Sequence, residues 1–384
     1  MAELGNLALL FAIGIPGWLL FRKLRMPGAP ILGAMLAVGT FQIAGFGPGQ
    51  LPAIFKPTLQ IVVGMVIGLR VRPDIRHQLR GMLPVAALVS AWWLVVALGG
   101  GYLLFIATQL DLKTALLGST PGGISEMSLL ALHFGADAPA VALLQFFRVT
   151  LVLVGVPLTA PRLYPFLERL GGGGRYRKES VVAPAPCASG GGGNGGGCNA
   201  GPTVAPPSRP PAAIPVAACP KWLLYGRTIA VATLGGLALE TAGFPAGGLV
   251  GSMLAVGALR AAGVACGSFH EDVRCLAQVG LGGLIGLGFS ATMLQSLTLM
   301  VAPVILLTTV MLSFGFALAI LVHRMTGWDI RTCVLATCAG GLTQIGAVAE
   351  ELGGNPVTVT ILHVVRLITI VSVLPPVFSL LFNS

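Results

Sequence analysis

The sequence predicts an all-α, polytopic integral membrane protein made of two homologous repeats in inverted topology, each with a broken or re-entrant helix. Three observations predict it. The 384 residues are 55% hydrophobic and only 9% charged, with a mean hydropathy of +0.89, whereas a soluble domain carries about 25% charged residues. Motifs recur at a constant offset of 218 residues, Gly122 with Gly340, Gly135 with Gly353 and Arg148 with Arg366. The lysines and arginines of the short loops change sides between the two copies.

Taken in order, Leu4 to Leu20 is the first apolar segment, closed by Arg22, Lys23 and Arg25. It lacks the basic n-region and small-residue cleavage site of a signal peptide, so it reads as the first span. Ile31 to Phe46 follows Pro27-Gly28-Ala29-Pro30. Thr58 to Leu69 is short and glycine-rich, and Arg70, Arg72, Arg76 and Arg80 close it. Met82 to Thr108 is the longest run, enough to cross a hydrocarbon core of about 30 Å. A segment over 114–134 breaks at Pro121-Gly122-Gly123, and one over 139–158 carries Arg148.

Composition divides the chain into a membrane repeat over 1–166, a Gly/Pro-rich tether over 167–220 and a second membrane repeat over 221–384. The tether's GGGG, SGGGGNGGG and PPSRPPAAIP runs hold too few apolar residues to offset their ordering entropy, which predicts disorder. Beyond it the first half returns. Phe244 to Gly257 matches Met26 to Gly39; Gln278, Gly282 and Gly286 match Gln60, Gly64 and Gly68; Asp329 and Thr332 match Asp111 and Thr114. So many matches at one offset mark a duplication.

Basic residues choose the relative orientation of the copies. The loops after segments 1 and 3 of repeat 1 hold three and four Lys/Arg, and their counterparts in repeat 2 hold none. The remaining loops show the opposite bias. With both termini outside and the halves inverted, nineteen of the 23 Lys/Arg are cytoplasmic, two are outside and two lie within spans. A parallel six-crossing arrangement would leave seven inside and fourteen outside, against the positive-inside rule. Inversion requires an odd number of crossings per repeat, so one of six segments fails to cross simply. The broken segment is the candidate, as a re-entrant hairpin or a helix pair interrupted at Pro121–Gly123 and Ala339–Gly341. A kinked ordinary helix is the alternative.

Broken helices of inverted repeats meet at the midplane of many secondary transporters. Here the candidate solute-binding residues are Gly122, Gly123, Ser125, Glu126 and Arg148 of the first copy, with Gly340, Gly341, Thr343, Gln344 and Arg366 of the second. Half-helices starting near Ile124 and Leu342 would turn a positive dipole end to the centre. Arg148 and Arg366 are the basic residues deep in apolar runs, where charge is expensive. Together these favour an anionic solute. The plainer readings are that Arg148 pairs with Glu126, that Ser125 and Thr343 are helix caps, and that the glycines at 64, 68, 282 and 286 serve helix packing. Arg366 faces Gln344 rather than an acid, which makes it the stronger functional candidate. Asp137 and Asn355 are expected to shape the turns before Pro139 and Pro356.

Enzymatic readings find no support. The five histidines are dispersed, the seven cysteines include no C-x-x-C, and GGGGNGGG lacks the Lys-Ser/Thr of a phosphate loop. No cofactor and no metal are expected. The net charge of +10 is explained by cytoplasmic loops rather than by direct nucleic-acid binding. The expected partners are the lipid bilayer and a small, anionic solute.

At TPGGISEM…FGAD…LLQFFRV and its echo AGGLTQI…GGNP…ILHVVRL, the chain resembles the membrane AbrB family, which is built on the AbrB duplication and often bears an ammonia monooxygenase label. The resemblance covers both halves outside the tether. The second copy departs by reading Ala339 for Pro121 and His363 for Gln145. The resemblance implies a multi-pass protein of the bacterial inner membrane with a role in regulating gene expression. It also implies a fold similar to the inverted-repeat cation/proton antiporters and anion transporters. Two functions follow as expectations: a secondary transporter of a small anionic solute, or a membrane-embedded regulator or sensor that acts on gene expression indirectly.

Overall fold

A computed structural model describes residues 2–24, 26–71, 75–171, 221–267, 271–340, 345, 348–349 and 351–382. Among them are thirteen helices and no strand. Repeat 1 supplies α1 (Ala2–Lys23), α2 (Ala29–Ile43), α3 (Phe55–Gly68), α4 (Ile75–Ala107), α5 (Leu112–Ser119), α6 (Ile124–Phe134) and α7 (Ala138–Gly171). Repeat 2 supplies α8 (Lys221–Thr241), α9 (Gly247–Ala261), α10 (Glu271–Gly286), α11 (Ala291–Thr326), α12 (Ile330–Thr337) and α13 (Pro356–Phe382). α7 continues to Gly171, past the expected repeat boundary at 166; the rest of the tether lies outside the described residues. Six helices, α1, α4, α7, α8, α11 and α13, are long and apolar enough to cross a membrane.

Local chemistry sets the ends of the broken segment. The Asp111 carboxylate caps α5 by accepting from the Thr114 N–H at 3.1 Å. Thr120 leaves the helix in extended conformation, and α6 restarts after Gly123, which provides no side-chain cap. Gly135, at φ +66°, ends α6 in the left-handed region that an L side chain resists.

One hydrogen bond decides how the broken segment runs. The Asp137 N–H, just beyond α6, donates to the Thr114 hydroxyl in the first turn of α5 at 2.9 Å. Laid end to end as a helical span, these residues would be separated by roughly 35 Å at a rise of about 1.5 Å per residue. The segment therefore folds back on itself as a re-entrant hairpin. In repeat 2 the Asn355 N–H donates to the Thr332 hydroxyl, again at 2.9 Å, so this copy turns back as well. Each repeat then holds five other helices or helical segments and one hairpin, the odd count that inversion requires.

The third helices change partners. α3 packs on α8 and α9 of the other repeat, and α10 packs on α1 and α2. The paired glycines are what allow this. A Cβ placed on Gly68 would lie 2.7 Å from the Met253 carbonyl oxygen, and one on Gly286 would lie 2.7 Å from that of Met35. Gly64 meets Ser252 and Leu249, and Gly282 meets Ile31, just as closely. Packing is thus their role, backbone against backbone. Two three-helix panels result, α1–α2–α10 and α8–α9–α3, which meet through α3 and α10 and pack against the helices α4–α7 and α11–α13. Among these last helices the Ser119 hydroxyl donates to Ala97 O at 2.8 Å, and the equivalent Thr337 hydroxyl donates to Gly315 O at 3.0 Å. Trp93 Nε1, wholly buried, donates to Thr337 O at 2.9 Å and ties α4 to α12.

Contacts between loops match the inverted reading. Arg260, in the last turn of α9, donates through Nε to Val71 O after α3 at 3.1 Å. In a parallel arrangement these two ends would lie on opposite faces. Arg331 at the mouth of the second hairpin stacks on Tyr164 near the end of α7, 5.8 Å from the ring centre. The mouth of the first hairpin gathers the opposite set of ends. Lys56 Nζ donates to Leu132 O at 2.7 Å, Ala246 N donates to His133 Nε2 at 3.0 Å, and Lys113 lies over the Phe382 ring. The two hairpins enter from opposite faces.

Candidate functional site

The hairpin tips carry carbonyl groups that a continuous helix would have satisfied. In repeat 1, α7 supplies their donors. Gln145 Nε2 donates to Leu117 O at 2.8 Å and Thr120 O at 2.9 Å. The Arg148 guanidinium donates to Thr120 O at 2.6 Å and Gly122 O at 3.0 Å, and also to Gln145 Oε1. A cation at the carbonyl end of α5 also complements its dipole. Repeat 2 uses the same device, with Arg366 Nη1 donating to Cys338 O, the counterpart of Thr120, at 2.8 Å. Both arginines are buried, at 3% and 4% exposure.

The two copies then diverge. Among the described residues Arg148 forms no ion pair with Glu126, and its contacts lie behind the break. Arg366 instead reaches a cavity of about 110 Å³ between the two tips. The first tip contributes Gly122, Gly123, Ser125 and Glu126 to that cavity, and the second contributes Gly340. Arg366 and His363 come from α13, Gln278 from α10 and Arg70 from just beyond α3. Of the sequence-derived candidates, Gly122, Gly123, Ser125, Glu126, Gly340 and Arg366 are therefore brought together. Arg148 is placed behind the wall, and Gly341, Thr343 and Gln344 lie outside the described residues.

Three wall residues were not among those candidates. His363 replaces Gln145, and its Nδ1 lies 2.9 Å from Val359 O. A carbonyl only accepts, so Nδ1 is the donor in that contact. The ring also meets the backbone of Cys338, whose carbonyl Arg366 holds. Gln278 is a polar residue in a glycine-rich helix, a signal the repeat alignment carried. Arg70 read only as a loop charge, and the exchange of third helices is what brings it beside Gln278.

Glu126 is 4% exposed and sits in the first turn of α6. The Ser125 hydroxyl donates to its Oε2 at 3.1 Å, so Ser125 serves the carboxylate rather than the helix cap. The carboxylate folds back over the helix start, where a Cβ on Gly123 would collide with Oε2. The wall thus combines one acid with two guanidinium groups and the positive end of α6.

Both repeats, and not only the tips, match one known family, described as the transition state regulatory protein AbrB, over residues 1–164 and 189–382. The chain belongs to the AbrB family. An AbrB-named relative, "Putative regulator AbrB" of Escherichia coli (strain K12), is 24% identical over 95% of this chain and 91% of its own length. "Uncharacterized protein YhjN" of Bacillus subtilis (strain 168) is 23% identical over 84% of this chain and 78% of its own. No solved structure matches the chain.

Proposed function

We propose that this AbrB-family membrane protein is a secondary transporter of a small anionic solute, embedded in the inner membrane of a bacterial cell. The observation that carries this reading is the cavity between the two hairpin tips, walled by Arg366, Arg70 and the start of α6. Two hairpins entering from opposite faces and meeting at one cavity give a solute access from either side after modest rearrangement. The solute and the bilayer are its partners, and nucleic acid is not bound directly. The site residues are those of the two tips together with Arg366.

The test is solute flux in proteoliposomes. Purified protein should move organic anions, and Arg366→Ala should reduce that flux at least tenfold, since one charge-assisted hydrogen bond contributes about 1.5–3 kcal/mol. A second reading, supported by the name of the Escherichia coli relative, is a membrane-embedded regulator that acts on gene expression indirectly. Absence of flux for any organic anion or amino acid, with a deletion strain still altered in transcription, would favour it. The ammonia monooxygenase label gains nothing from the donor set. Among the described residues no three His, Cys, Asp or Glu side chains are grouped to hold a metal ion.

A further inference from the structure

We propose that the solute bound between the hairpin tips is a short amino acid, its carboxylate held by Arg366 and its ammonium by Glu126. The inference rests on the anion reading above and narrows it: the anionic group is the carboxylate of a zwitterion. The wall is not the one a simple anion would need. Beside Arg366 and Arg70 it carries the Glu126 carboxylate, 4% exposed, and the amide of Gln278. Glu126 lies over the positive end of α6 and takes the Ser125 hydroxyl at 3.1 Å, so it stands there as a lasting negative charge. A bare anion would meet that charge within one small cavity, in a buried setting where it is weakly screened. An ammonium group on the same solute turns the repulsion into an attraction.

Both charged groups have bonding capacity left for a ligand. Arg148, which does not border the cavity, gives three hydrogen bonds, to Thr120 O, Gly122 O and Gln145 Oε1. Arg366 gives one among the described residues, to Cys338 O at 2.8 Å, and the rest of its fork suits a carboxylate. Glu126 forms no ion pair among the described residues and accepts there only from Ser125, whereas a carboxylate offers about four acceptor sites. Buried charges are normally paired. Here an acid on α6 and a base on α13 border one cavity without bonding each other. Its volume of about 110 Å³ lies below the roughly 150 Å³ that receives one benzene. The solute is therefore short, with both charges on neighbouring carbons.

Glycine and glycolate are the probes, since glycolate differs only by a hydroxyl in place of the ammonium. Each is labelled and dialysed to equilibrium against the full-length protein in detergent near neutral pH. The wild type should bind glycine about tenfold or more tightly than glycolate, the size of one charge-assisted hydrogen bond. Glu126→Gln should erase that preference, losing glycine affinity by a similar factor and binding glycolate more tightly than the wild type does. Arg366→Ala should weaken both ligands. Glycolate bound by the wild type as tightly as glycine, or more so, overturns the ammonium site and leaves the anion site standing. A Glu126→Gln protein that keeps the glycine preference, or binds glycolate no better than the wild type, overturns the role of Glu126. Neither ligand bound by the wild type or by Glu126→Gln overturns the anion site itself.

Discussion

Arg148 and Arg366 occupy equivalent positions and share one task, holding the last carbonyl of a half-helix, but only one also borders the cavity. Replacing Arg148 by Ala strands the Gly122 carbonyl and the Gln145 amide oxygen in a buried setting, each at a cost of roughly 1–3 kcal/mol, while Thr120 O keeps Gln145 as a donor. Arg148→Ala should therefore unfold at clearly lower denaturant than the wild type in detergent, whereas Arg366→Ala should lose less stability and more transport. Comparing unfolding and flux in the two variants checks this; equal losses in both assays would contradict it. Ala246 offers a gain instead. It sits at φ +54°, where its counterpart is Gly28 at +70°. Left-handed geometry costs a non-glycine residue roughly 1–2 kcal/mol, and glycine forfeits part of that in chain entropy. Ala246→Gly should stabilise by about 0.5–1 kcal/mol, read from the unfolding midpoint. At this scale the sequence revealed which residues were unusual and not what they faced. A buried arginine one helix after a buried acid suggests an ion pair, and only the folded hairpin shows Arg148 bound to carbonyl oxygens instead.

The hairpins and the exchanged helices belong to the next scale. Proline and glycines at 121–123 announced a break, but a kink and a reversal share that signature. What separates them is the bond from Asp137 to Thr114, twenty-three residues apart. The recurrence of Thr114 as Thr332 was visible in the alignment, although nothing in a single sequence marks a threonine as a latch. The spacing of the glycines likewise foretold close packing without naming the partner, because any small-residue face can receive any other. Gly286→Leu should drive its side chain into the backbone of α2 at Met35 and Gly39, with an overpacking cost of roughly 1–3 kcal/mol or more. Gly99, around which a Cβ would meet nothing within 4 Å, is the comparison site. If Gly286→Leu and Gly99→Leu retain equal thermal stability, the tight α2–α10 approach is wrong.

For the whole molecule, charge alone carried the orientation of the repeats, and contacts such as Arg260 with Val71 fit that reading. The rule works because loop arginines and lysines are sorted by the cell rather than by packing. Single cysteines, introduced after removing the seven native ones, would test it in intact cells. Positions Gln109 and Ala136 flank the first hairpin, and Met325 and Glu351 flank the second. Within each pair the two cysteines should label from the same side, and the pairs from opposite sides, with an impermeant maleimide. Labelling of all four from one face would refute inversion.

The exchange of third helices also bears on how the chain is made. When synthesis has finished repeat 1, α3 has no α9 to receive Gly64 and Gly68, and α2 still lacks α10. Neither half is then a self-sufficient folding unit. Fragments 1–171 and 221–384 should each be degraded when produced alone. Produced together as two polypeptides, they should assemble into a stable pair, because every exposed groove of one is filled by the other.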